Sequence, residues 1–348
     1  LAMLKFFFQA ITLNQTGRWI RNTGLTIGVV VLFGTLLLWR MWQIRGDISE
    51  TGWETAAVAS EPGDAVTATW LGTTTILFDD GETQILIDAA FTRVSPVDIA
   101  TFRRVRSDVA AINYALSTFR MNRLAAIVPV HSHHDHAMDA GYVANRTSAV
   151  VLGSESTANI VRGADVPVGQ YQILADGETR LFGDFTIKLV ASRHAPVGVD
   201  GMEIFPGIID RPLRLPARIS EYRTGVAWSI FIGHPRGTTL VQGSAGYIEG
   251  KLLGESADVV MLGIAGLADL GATYTANFWN ETVIATNASR VIAVHHDDFT
   301  APFGEVRLMP DILDKVLKTS TWIDELAAVD DVKIRVELPP FGKPIVLY

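Results

Sequence analysis

The stretch that decides the fold is Val128-Pro129-Val130-His131-Ser132-His133-His134-Asp135-His136. Four of the chain's eight histidines and one aspartate fall within six residues. They follow an apolar run, Leu124–Val130, of the length expected for a buried strand. A divalent metal needs several donors converging at about 2.0–2.2 Å. His131 and His133 alternate along an extended segment, so they point the same way. Asp135 and His136 come where the chain turns and aim at a neighbouring point. The spacing suits two adjacent metal positions, with Ser132 and His134 as spacers.

Working outward, other histidines sit where such a site needs them. His194 follows the strand-like FTIKLV, and His295 and His296 follow RVIAV. Three strand-like runs thus end in histidine. His234, in the turn Gly233-His234-Pro235-Arg236-Gly237, reads as an ordinary surface histidine. Strands are also expected at Ala65–Phe78, Thr83–Asp88, Val150–Leu152, Thr179–Phe182, Val226–Ile232, Thr238–Val241, Val259–Leu262 and within 332–347. Helices are expected near 138–146, 276–288 and 312–326. Asp79-Asp80-Gly81-Glu82 and Gly183-Asp184 are hairpin turns. No period of 20–50 residues repeats, so residues 65–348 read as one α/β domain.

The motifs, taken in order, resemble the metallo-β-lactamase superfamily. His131 to His136 match its HxHxDH signature. Thr69-Trp70-Leu71-Gly72 and Ile85-Leu86-Ile87-Asp88 resemble its opening hairpin and motif aspartate. His194 falls at the third motif, Gly243-Ser244-Ala245-Gly246 at the usual Gly-Asp-Thr-Gly turn, and His295 at the last. The W-L-G opening and the closing His295-x-x-x-Phe299 most resemble the lactonase-like and N-acylphosphatidylethanolamine phospholipase D-like branch. The resemblance spans about residues 65–310. It implies a four-layer αβ/βα sandwich with the site at one edge of the paired sheets. It also implies that His131, His133 and His194 hold one metal, and Asp135, His136 and His295 a second. Asp88 would steady the ligand loop from behind, as outer carboxylates do. Zinc is the default for such donors, with iron or manganese as alternatives.

One departure matters. Ser244 stands where the family carries the aspartate that bridges the metals. A hydroxyl is a poorer bridge than a carboxylate, and losing one negative charge raises the repulsion between two dications. Three states follow: two metals bridged by water, one metal, or a site with little hydrolytic activity. Asp297 and Asp298 are the only nearby substitutes, and they read as exposed loop carboxylates. If the site is active, a bound metal lowers the pKa of water towards 7 and supplies hydroxide, which Asp135 would orient. The chain has no cysteine. Gly243-Ser244-Ala245-Gly246 has the wrong spacing for a serine-nucleophile elbow.

Composition sets the surroundings. The 348 residues carry a net charge of −8, and the pI is near 5.5, which argues against a nucleic-acid partner. Mean hydropathy is high, +0.25, and much of the excess lies between Arg21 and Arg40. That uncharged run of eighteen residues would span about 27 Å as a helix, close to a bilayer's hydrocarbon core. Trp19, Trp39 and Trp42 flank it like an interfacial belt. A cleaved signal peptide is the rival reading, but Ala57-Val58-Ala59 lies too far beyond the apolar run to serve as its cleavage site. The expectation is therefore a single-pass anchor at about 22–42 in an N-terminal segment 1–45. Lys5, Arg18 and Arg21 before the span favour an extracytoplasmic catalytic domain. Residues 4–13 are candidates for a short interfacial helix, and 46–64 for a linker. An anchored hydrolase would act on a phospholipid or other phosphodiester, or on an ester or lactone. The segment 195–223, with Phe205, Ile208, Ile209, Leu213 and Leu215 among Arg211, Arg214 and Arg218, reads either as an apolar, cationic lid or as a loop packing its own hydrophobes. The rival to an enzyme is a metal-binding interaction protein on the same fold.

Overall fold

Two stacked sheets form the centre of the fold. The computed structural model describes residues 2–59, 65–329 and 334–348, with side chains from Asn22 onward. One sheet has seven strands, in spatial order Pro344–Val346, Thr67–Trp70, Ile76–Asp79, Gln84–Ile87, Leu124–Val128, Val150–Gly153 and Tyr171–Ile173. The other has eight: Glu54–Thr55, Arg335–Leu338, Arg290–Val294, Val259–Gly263, Gly237–Gln242, Ala227–His234, Phe185–Ser192 and Thr179–Phe182.

Strand periodicity makes four layers. Successive side chains point to opposite faces. Ile76, Phe78, Ile85 and Ile87 therefore meet Val259, Met261, Ile292 and Val294 of the other sheet in the central core. Their neighbours Leu77 and Leu86 face the other way. They pack with Ile112, Val143 and Val161, which lie on helices Val109–Thr118, Ala140–Thr147 and Glu155–Gly163. Val260, Leu262, Val291 and Ala293 likewise meet Phe278 and Ile323 of helices Ala272–Trp279 and Val316–Ala327. Burying apolar side chains on both faces is the main stabilisation, roughly 1.5–3 kcal/mol for each fully buried Leu, Ile, Val or Phe. The result is the αβ/βα sandwich expected from the sequence.

Several local expectations shift. Ala65–Phe78 is two strands, not one. Gly72, at φ +92°, turns the chain between Trp70 and Ile76. Residues 46–59 are not a bare linker. Asp47 caps a single 3-10 turn, Ile48–Thr51, and Glu54–Thr55 pairs with Glu337–Leu338. The rest of the expected linker, 60–64, lies outside the described residues, as do 330–333. The last long helix starts at Val316 rather than near 312.

The N-terminal unit is one helix, Ala2–Gln43, so residues 4–13 are its first part rather than a separate element. Its stretch Leu25–Gln43 has mean hydropathy 1.8 over 19 residues and is long and apolar enough to cross a membrane. A signal sequence passes the same test.

Candidate metal centre

Five strands deliver the site. Asp88 follows Gln84–Ile87, His131 follows Leu124–Val128, and His194 follows Phe185–Ser192. Ser244 follows Gly237–Gln242, and His295 follows Arg290–Val294. All five leave the carboxyl end of their strand, where open α/β sheets place their ligands.

His131, His133 and His194 converge, and their ligand atoms lie within 4.8 Å of one another. His131 Nε2 stands 3.0 Å from His133 Nδ1. His194 Nδ1–H donates to the Ala195 carbonyl at 2.7 Å, which leaves Nε2 for a metal. Thr224 Oγ1 lies 3.2 Å from His133 Nε2 and donates to the Phe205 carbonyl. The hydroxyl thus takes the proton of the outer nitrogen and frees Nδ1. Burial, reinforced by the neighbouring imidazoles, pushes His131 well below its usual value and His133 down to about 3. Burial also lowers His194. Three neutral imidazoles facing one another with lone pairs are an arrangement that a cation satisfies.

Asp135, His136 and His295 form a second group of the same kind. Asp135 Oδ2 is 3.5 Å from His136 Nε2 and 3.7 Å from His295 Nε2. Ligands on a tetrahedral metal at 2.0–2.2 Å stand about 3.4 Å apart, so the spacing fits. Burial alone would raise the Asp135 carboxyl, but His136, His295 and His134 outweigh it and hold it well below the usual range. Behind His136, Nδ1–H donates to Asp88 Oδ2 at 2.6 Å. Burial works against the charged imidazole, yet Asp88 and Asp135 on either side hold His136 above its usual value. Asp88 also accepts from Thr74 Oγ1 and, at 2.8 Å, from the Val130 amide.

Backbone strain gathers here. Thr73, Asp88 and His295 have φ of 49°, 52° and 55°, in the left-handed region that non-glycine residues rarely occupy. Thr73 holds them in register. Its carbonyl accepts from His295 N at 3.0 Å and from Trp70 Nε1 at 2.8 Å, and its own amide donates to Asp297 Oδ1 at 2.8 Å. His296 stacks on Trp70 with ring centroids 4.9 Å apart. The opening W-L-G turn is thereby a clamp on the last histidine.

Asp297 and Asp298 are buried, contrary to the expectation of exposed carboxylates. Neither replaces the missing bridge. Asp297 is spent on Thr73. Asp298 accepts from Thr300 N, Thr300 Oγ1 and Arg307 Nε. Ser244 Oγ accepts the Ala195 amide at 3.0 Å, and so ties down the segment that carries His194. A Cβ at Gly246 would stand 2.2 Å from the Arg193 carbonyl. The glycine of this turn is therefore required by close approach even though its aspartate is absent.

His234 sits away from both groups, but it is not a surface histidine: its side chain is buried against Phe185, 3.7 Å from Asp80. Of the two presumed spacers, Ser132 hydrogen-bonds Thr157, and His134 packs between Tyr222 and Phe299. Sequence reasoning missed Thr73, Thr74 and Thr224. Isolated hydroxyls carry no pattern, though Thr73 and Thr74 directly follow the W-L-G motif.

A cap covers this edge. Arg104–Val105 and Ala217–Arg218 pair as a two-stranded sheet joining the loop 93–108 to the loop 195–223. Under it Val94, Ile209, Ala217, Ile219 and Tyr222 pack on Ala137 and Met138, beside the metal-facing turn. The long loop thus packs many of its own hydrophobes. It also exposes Val199, Met202, Ile204 and Ile208, while Phe205 meets the His133 ring edge-on at 6.4 Å.

Set beside known structures, the sandwich has clear counterparts. A possible metal-dependent hydrolase from Veillonella parvula DSM 2008 superposes with a TM-score of 0.50 at 15% identity, over 81% of this chain and all (100%) of that one. The sandwich matches the metallo-β-lactamase fold. CmlA, a diiron β-hydroxylase from Streptomyces venezuelae, superposes with a TM-score of 0.50 at 12% identity over 82% of this chain and 55% of CmlA. The metallo-β-lactamase fold protein YhfI from Bacillus subtilis gives 0.48 at 14% identity, over 81% of this chain and 99% of its own. No protein-family model and no curated protein sequence matches the chain. At these identities the likeness is one of fold.

Proposed function

We propose that the protein is a metal-dependent hydrolase that acts on a phosphodiester, such as a phospholipid, or on an ester or lactone. The observation that carries this reading is the convergence of two donor triads at one sheet edge. His131 Nε2, His133 Nδ1 and His194 Nε2 would hold one metal, and Asp135, His136 and His295 the other. A divalent metal, when bound, supplies a Lewis acid that acidifies water and draws charge from a substrate oxygen. The chain's own groups do the rest. Asp135, kept ionised, orients the attacking water and takes up its proton. Asp88 fixes the His136 ring, and Thr224 fixes that of His133. Phe205 and the cap shield the triads from bulk water.

The helix Leu25–Gln43 supports a single-pass anchor, and Lys5, Arg18 and Arg21 before it favour a sandwich outside the cytoplasm. Exposed Met202, Ile204 and Ile208 beside Phe205 favour a substrate with an apolar tail. The second reading, a metal-binding protein with little turnover, rests on Ser244 in place of the bridging carboxylate. Metal analysis of the purified chain, run with hydrolysis of a generic phosphodiester and a generic lactone, separates the two. At least one equivalent of metal and turnover that a chelator abolishes are expected. Metal without turnover in the native protein, with turnover gained only in Ser244→Asp, would favour the binding protein. No metal at all would remove both readings.

A further inference from the structure

The loop 92–108 lines an open cleft of about 350 Å³ whose lining includes Arg93, Arg103, Arg104 and Arg106. Three of these come from one four-residue stretch, Arg103-Arg104-Val105-Arg106. In a chain of net charge −8, four guanidinium groups against two carboxylates in one lining are a local reversal of sign. The lining also holds two carboxylates, Asp98 and Asp108. Asp98 pairs with Arg103 at 3.3 Å and accepts from Ser95 Oγ. Asp108 caps the helix Val109–Thr118 by accepting from Ala110 N and Ala111 N. Arg104 donates to the Pro216 carbonyl and lies 3.5 Å from Glu221. Arg106 has no hydrogen bond or ion pair among the described residues, and it is exposed at the mouth.

Arg93 ties one end of the lining to the Leu71-Gly72 turn. Arg93 Nη2 donates to the Leu71 carbonyl at 3.3 Å. A Cβ on Gly72 would stand 2.3 Å from Arg93 Nη2 and 3.0 Å from Asp297 Oδ2, so both side chains crowd that glycine. Asp297 lies two residues beyond His295. The loop is also pinned. Asp139 accepts from Phe91 N, Thr92 N and Thr92 Oγ1, and Thr92 Oγ1 accepts from Asp108 N at 2.7 Å. Arg104–Val105 is paired as a strand. A rigid loop leaves little ordering entropy to be lost when a ligand binds.

We propose that this cleft is an anion subsite for a phosphate group, with Arg106 and Arg103 at its mouth and Arg93 at its inner end. Planar guanidinium forks match the oxygens of a tetrahedral phosphate. The phosphate is either free or the headgroup of a lipid. The inference does not depend on hydrolysis, only on the geometry of the cap.

The test is calorimetric titration of the full chain in non-ionic detergent. The probes are inorganic phosphate and, separately, a short-chain phosphatidic acid. Arg106→Gln should weaken binding by about tenfold or more, the usual scale for a lost charge-assisted hydrogen bond. Arg335→Gln, which removes the same charge from an exposed position on strand Arg335–Leu338, should change it by less than about twofold. The titration is repeated after metal removal, because phosphate also binds metal centres. Cleft binding survives chelation. Binding of the lipid alone points to a headgroup, and binding of both to phosphate itself. Equal affinity in wild type and Arg106→Gln, binding lost on chelation, or no binding of either probe would overturn the proposal.

Discussion

The two donor triads are built on different principles. His131, His133 and His194 contribute three imidazoles and no charge. Burial keeps them neutral, and a carbonyl and a hydroxyl set their tautomers. Asp135, His136 and His295 include a carboxylate, lean on buried Asp88, and depend on a strained His295 backbone. The first group is preorganised by desolvation and the second by charge. With Ser244 in the turn, no carboxylate joins them. The first triad should therefore hold metal on its own terms, and the second should hold it only as well as its supporting residues allow.

The largest expected effect breaks the first group. His131→Ala should cost more metal affinity than loss of an outer partner, hence more than about 10–100-fold, and should take hydrolysis with it. Metal content by mass spectrometry and turnover on a generic phosphodiester check this, and full occupancy in the variant would count against the assignment. Next, Asp88→Asn should lower affinity at the second group alone, by about 10–100-fold. A biphasic metal titration in which both phases weaken equally would erase the distinction. Ser244→Asp should sharpen it the other way. A carboxylate between two cations should tighten the weaker phase by about tenfold, on the order of 1.4 kcal/mol, well under the bare Coulomb limit. It also removes the hydroxyl that anchors Ala195, so a variant that loses the tighter phase instead would show that this anchor matters more.

The smallest effect is one of pH. His133 is lowered from 6.5 to about 3 by burial and His194. Between those values the unfolded chain binds a proton that the metal-free folded chain does not, so folding stability rises with pH across that window. Apo-protein should lose denaturant resistance as pH falls from about 6.5 towards 3. Thr224→Val, which removes the partner of the outer nitrogen, should alter that slope more than Thr74→Val.

The same contrast governs what could be read from sequence. The histidines and Asp135 were legible because metal ligands cluster at strand ends, and HSHHDH is dense enough to stand out. The layers were legible because Ile85-Leu86-Ile87 and Val259-Val260-Met261-Leu262 fill both faces. The supports were not. Thr73, Thr74 and Thr224 act through single hydroxyls or carbonyls, which any threonine possesses. Asp297 and Asp298 looked like loop carboxylates because nothing local reveals that the chain after Val294 folds back under Trp70. Glu54–Thr55 looked like linker because a two-residue edge strand has too few side chains to show a period.

The small sheet of Arg104–Val105 and Ala217–Arg218 has a consequence for motion. It fastens two loops, more than a hundred residues apart in sequence, over one shared apolar floor. Neither loop can lift without breaking that pairing and uncovering Tyr222. The cap should therefore breathe as a single cooperative unit, its amides from 94–105 and 209–222 trading hydrogen for deuterium together rather than one loop at a time.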